Sequence, residues 1–138
     1  MNVQVTGPRG GALPAELSIF AAMAVNSFAK QLGISRLKTN ILVKIHNQLI
    51  IPGNDAEGLC WAKDERNFEI DVCLYGNWLG VLAHEMVHVK QFALKELATG
   101  MNRWKSRTNV SDLAYEDQPW EKEAFRLQHV LLKEFTTR

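Results

Sequence analysis

Residues Leu82-Ala83-His84-Glu85-Met86-Val87-His88-Val89 place two imidazoles four positions apart inside a long, mostly apolar run. In a helix, at about 100° per residue, that spacing stacks His84 and His88 on one face, one turn apart, where both can hold a single metal ion. Glu85 is rotated off their line by one residue. Its carboxylate can therefore reach a water activated by the ion without becoming a ligand, which is the geometry a general base needs. Two histidines and a glutamate could instead be solvated polar residues, but Val81, Leu82, Ala83, Met86, Val87 and Val89 surround them. A helix that is apolar almost all round is buried. Buried imidazoles and a buried carboxylate without partners are costly, and a bound cation beside a polar cleft accounts for all three together. The spacing points to a catalytic zinc site.

Composition narrows the alternatives. With 46% hydrophobic and 22% charged residues, 138 residues bury one core, so residues 1–138 read as a single domain. The 16 Lys and Arg nearly balance the 15 Asp and Glu, and no global field recruits nucleic acid or an anionic membrane. No run approaches the roughly 20 apolar residues of a membrane span, and the amino terminus lacks a secretory pattern, so a cytoplasmic protein is expected. Cys60 and Cys73 lack a CxxC or metal-ligand spacing and read as reduced, packed thiols.

The elements follow from periodicity and breakers. Val3 to Thr6 suits a short strand, and Gly7-Pro8-Arg9-Gly10-Gly11 breaks it. Pro14 suits a first helical turn, after which Leu17, Phe20, Ala21, Ala24, Val25 and Phe28 recur at helical spacing until Gly33. Ile41 to Ile51 reads as a strand ended by Pro52-Gly53-Asn54, with His46 a half-exposed strand residue. A strand around Gly58 to Ala62 turns through Lys63-Asp64-Glu65-Arg66 into Phe68 to Leu74, where apolar and polar residues alternate. Asn77 is placed to cap a helix from Trp78 to about Ala98, ended by Thr99-Gly100. Residues 101 to 118 read as a long loop with a short helix. Its basic cluster, Arg103-Trp104-Lys105-Ser106-Arg107, could grip a backbone and stack a base, but in a neutral protein it reads as solvated surface. The last helix runs from Pro119 to about Phe135, with Ala124, Phe125, Leu127, Leu131, Leu132 and Phe135 as its apolar face. Helix, strands, then the HExxH helix is the order of an α+β domain whose sheet covers one side of that helix.

A catalytic zinc commonly has three protein ligands, so one more His, Asp or Glu must come from elsewhere. The HExxHxxGxxH pattern is excluded, because Gln91 and Leu94 stand where it needs Gly and His. His129 is the one later histidine. On the terminal helix, Glu121 lies nearer the centre of the apolar face than Glu123.

With these residues the chain resembles a minimal zincin metallopeptidase of the glutamate-ligand type, the gluzincins. In that family the third ligand is a glutamate on a helix downstream of HExxH, often followed three residues later by a small residue that lets the helices approach. Pro119-Trp120-Glu121-Lys122-Glu123-Ala124 fits the pattern. The resemblance implies a zincin-like α+β fold, an N-terminal helix and a small mixed or antiparallel sheet packed on a central HExxH helix, with Glu121 from the C-terminal helix as third ligand and Ala124 as the packing residue. Glu123 is the alternative ligand. The chain departs from the family at position 125, where a polar residue supporting the ligands is common and Phe125 stands here. Over residues 58 to 135 it also resembles small metallopeptidase-like proteins of phages and bacteria, some described as SprT-like, although no histidine follows soon after His88 as in SprT proper.

The implied activity is zinc-dependent hydrolysis of a peptide bond, with Zn²⁺ on His84, His88 and Glu121, Glu85 as general base and Tyr115 as the phenol for the developing oxyanion. The substrate is expected to be a peptide or protein segment bound as an extended strand, added to an outer edge formed by Phe68 to Leu74. The rivals are a non-catalytic interaction protein that keeps the fold, and a nucleic-acid-associated protease.

Overall fold

Every second residue of two stretches is strongly apolar, and those two stretches form the centre of the sheet. The computed structural model describes residues 1–47 and 57–137, and these form an α+β molecule with three helices and a small mixed sheet. In chain order, β1 (Asn2–Thr6) and α1 (Ala15–Gln31) precede β2 (Asn40–His46), β3 (Gly58–Ala62) and β4 (Asn67–Cys73). Then come α2 (Trp78–Ala93), a two-residue ribbon of β5 (Arg103–Trp104) and β6 (Arg107–Thr108), a 3-10 turn at Tyr115–Asp117, and α3 (Pro119–Thr136). The strand order is β1-β2-β4-β3. β1, β2 and β4 run parallel, and β3 joins β4 antiparallel through register pairs such as Leu59 with Asp71.

One face of the sheet is dry. Ile41, Val43 and Ile45 of β2 and Phe68, Ile70 and Val72 of β4 are each at most 2% exposed, and burial of side chains of this size contributes about 1.5–3 kcal/mol apiece. The helices cover that face, and α2 packs on β3 and β4 on one side and on α1 and α3 on the other. The opposite face is polar. Lys44 and Lys63 pair with Glu69 at 3.3 and 3.0 Å, and His46 Nε2 lies 2.8 Å from Asp71 Oδ1.

Several sequence expectations are corrected here. Phe68 to Leu74 is not an outer edge: β4 is paired on both sides, with β2 and with β3, and Asp71, on its polar face, is buried. β3 is the strand left at that end of the sheet. α2 stops at Ala93 rather than about Ala98, although Leu94, Glu96, Leu97 and Ala98 are good helix formers. Lys95 adopts φ 60°, Glu96 and Leu97 donate to the Gln91 carbonyl, and Leu97 turns inward to bridge with Trp104. Burial of Leu97 outweighs local helix propensity. Asn77 is the residue before α2 but makes no side-chain cap hydrogen bond; its amide lies over the α-carbon of Gly80. The stretch read as a long loop contains the β5–β6 ribbon. Strand β2 is described to His46, and the expected continuation through residues 48–51 and its end at 52–54 lie outside the described residues.

Candidate metal centre

α2 is buried along nearly its whole circumference, so its polar side chains need partners inside the protein. His84 and His88 are each 8% exposed, with ring centroids 5.0 Å apart. Each ring is tied at one nitrogen. His84 Nδ1 lies 2.7 Å from Gln128 Oε1, and Nδ1–H of His88 donates to Gln91 Oε1 at 2.8 Å. The opposite nitrogens converge on one carboxylate from α3: His84 Nε2 lies 3.0 Å from Glu121 Oε1, and His88 Nε2 lies 3.1 Å from Glu121 Oε2. Ligand atoms of these three residues all lie within 4.8 Å of one another, so the group could hold a metal ion. Two imidazoles turned to offer Nε2 and one carboxylate could make an N₂O donor set beside a cleft that leaves room for a further ligand.

Glu121 reaches the histidines because α3 packs closely on α2, with Ala124 fully buried one turn below it. Burial works to raise the Glu121 carboxyl, and hydrogen bonds from His84 and His88 outweigh it, holding the group well below the usual carboxylate range. Glu123 points elsewhere. Its Oε1 takes hydrogen bonds from Lys90 Nζ at 2.9 Å and Gln91 Nε2 at 3.1 Å, so the alternative third ligand is already engaged in an ion pair away from the histidines. His129, on the exposed side of α3, does not join the group either.

Glu85 is 7% exposed and is not part of the ligand group. Burial, partly offset by His88 and His84, raises its carboxyl above the ordinary value. It faces a cleft of about 550 Å³ that also contains His84, His88, Glu121 and the first residues of β3. Tyr115 stands at the mouth, and its hydroxyl donates to Glu121 Oε1 at 3.2 Å. Burial, then the Glu121 charge, push that phenol up to about 12. Phe125, expected on the buried face of α3, is 48% exposed and sets its ring edge-on to His84 at 4.7 Å. Cys60 of β3 lines the same cleft, and burial, then Glu85 and Glu121, push its thiol up. Neither it nor Cys73 is in a disulfide, and no described helix is long and apolar enough to cross a membrane.

No family model, curated protein or solved structure matches this chain. What the site can do rests on its geometry.

Three further residues shape that geometry without having been singled out from the sequence. Gln91, three positions after His88, and Gln128, seven after Glu121 and so on nearly the same side of α3, hold the imidazoles. Gly58 brings β3 against α2: a β-carbon there would collide with Val81 Cγ1 and lie 3.3 Å from Glu85 Oε2. The signal for the glutamines was a polar side chain at helical spacing from a ligand. Gly58 carried none beyond a glycine at a strand start. The basic ribbon does not offer a base-stacking platform, because Trp104 is 9% exposed and packs at 6.2 Å from the ring of Trp120.

Proposed function

We propose that this chain is a zinc-dependent metallopeptidase of the zincin, glutamate-ligand type, acting on a peptide or protein segment bound as an extended strand. The observation that carries the reading is the convergence of His84 Nε2, His88 Nε2 and the Glu121 carboxylate in a cleft that Glu85 also lines. When bound there, zinc supplies Lewis acidity, lowering the pKa of a water and polarising the scissile carbonyl. The protein's own groups do the rest. Glu85 lines the same cleft as the three ligands and stands outside their group, so its carboxylate takes the water proton and returns it to the leaving amine. Burial that raises its proton affinity suits a group that must accept and then release a proton. The Tyr115 hydroxyl donates to the developing oxyanion once substrate turns it from Glu121.

Substrate lies along β3 rather than β4. Glu57 O accepts from Cys73 N and Lys63 N donates to Asn67 O, so odd-numbered residues of β3 direct their backbone groups to β4. The backbone N–H and C=O of Gly58, Cys60 and Ala62 point the other way, to an edge that no described strand pairs with. Cys60 and Cys73 are in no disulfide, which suits a reducing compartment, and the proposal includes a cytoplasmic enzyme. Hydrolysis of an unstructured protein such as casein, dependent on added zinc and abolished by a chelator, is the test; a zinc-loaded chain that cleaves no peptide would support the rival interaction protein.

A further inference from the structure

The Gln91 side chain is 0% exposed and fully engaged, and its engagement fixes its direction. Its Nε2 donates to the Trp120 carbonyl at 2.9 Å and to Glu123 Oε1 at 3.1 Å. Both partners are acceptors only, so the amide cannot be turned round without setting its oxygen against two oxygens. Oε1 is thereby left facing His88, and an amide oxygen can only accept. Glu123 is held in turn by Lys90 Nζ at 2.9 Å, and Lys90 by Glu96 Oε1 at 2.7 Å. The chain of contacts Glu96–Lys90–Glu123–Gln91–His88 ends at a ring nitrogen whose partner nitrogen faces Glu121.

We infer that Gln91 is a positioning residue for the metal centre: oriented by Glu123 and Trp120, it obliges His88 to carry a proton on Nδ1 and to present Nε2 to the ion. Glu123 has the complementary part, holding the amide rather than the metal. His84 differs. Gln128 faces it in the same way but has no second hydrogen bond among the described residues, so its amide is free to turn. Loss of Gln91 therefore costs the site more than loss of Gln128. The inference rests on the metal-centre reading for its consequence, though the proton position on His88 stands apart from it.

The test combines nitrogen-15 NMR of the histidine rings in the full chain with zinc affinity by competition against a chromophoric chelator. In the wild-type chain, without metal and with zinc, the spectrum should show His88 Nδ1 protonated. A His88 ring with Nδ1 bare and its proton on Nε2 overturns the inference, and this measurement needs neither a variant nor bound metal. Gln91→Met keeps the side-chain length and removes the amide, and it should lower zinc affinity by about 10- to 100-fold, with Gln128→Met losing less. Zinc affinity unchanged in a folded Gln91→Met chain also overturns the inference. A chain that binds zinc as described but cleaves nothing removes the peptidase reading and leaves this one intact.

Discussion

The contrast between Glu121 and Glu123, two residues apart on α3, decides how the site is built. Glu121 meets both imidazoles at 3.0 and 3.1 Å, whereas Glu123 is committed to Lys90 and Gln91. Glu121→Ala should remove a ligand and lower zinc affinity by more than about 100-fold, while Glu123→Ala should cost about 10-fold or less through Gln91. Isothermal titration of the two variants checks this, and the reverse order would make Glu123 the ligand. Gly58 gives a second prediction at this scale. Gly58→Val drives a branched side chain into Val81 and Glu85, so denaturant unfolding should show about 1–3 kcal/mol of lost stability. His84, Glu85 and His88 were legible in the sequence because helical spacing alone puts them in register. Gln91 and Gln128 were not, since their roles depend on how α2 and α3 face each other. Phe125 was misplaced for the same reason: its spacing fits the apolar stripe, yet the ring sits over His84 at the cleft mouth.

Among the elements, β3 lies at the end of the sheet where the sequence suggested β4. Alternation in Phe68 to Leu74 marks a half-buried strand correctly, but alternation says nothing about how many neighbours a strand has. Buried Asp71, answered across the strand by His46, belongs to an interior strand's polar face rather than to an edge. Proline substitutions separate the two strands. Asp71→Pro deletes an N–H that faces β3 and should destabilise the fold by about 3 kcal/mol or more. Cys60→Pro deletes an N–H on the side of β3 that no described strand pairs with, leaving the β3–β4 ladder intact, and should weaken binding of an extended peptide with a smaller loss of stability. Peptide affinity measured by fluorescence anisotropy, alongside thermal melting, checks both; undiminished peptide binding by a folded Cys60→Pro variant would remove β3 as the docking edge. The end of α2 teaches the companion lesson, since nothing local stops a helix at Ala93 and the burial of Leu97 against Trp104 does so.

At the scale of the whole molecule, the α+β class was readable from the order of elements, whereas the largely parallel sheet was not. β1 and β2 pair from positions 2–6 and 40–44 across α1, a long-range match that no local pattern encodes. The candidate metal site joins α2 to α3, so an ion bound there would hold the C-terminal helix to the core. With free zinc at about 1,000 times its dissociation constant, linkage gives about 4 kcal/mol, and chelation should lower the melting temperature by roughly 10 °C. A melt insensitive to zinc and chelator would show that the three residues hold no such ion. The most direct test of the central claim is metal content and peptide hydrolysis measured on one purified sample, with Glu85→Gln beside the parent chain. The parent should carry about one zinc per chain and cleave peptide, while Glu85→Gln keeps its zinc and loses hydrolysis. Full hydrolysis by Glu85→Gln, or a parent chain that binds no metal, would contradict it.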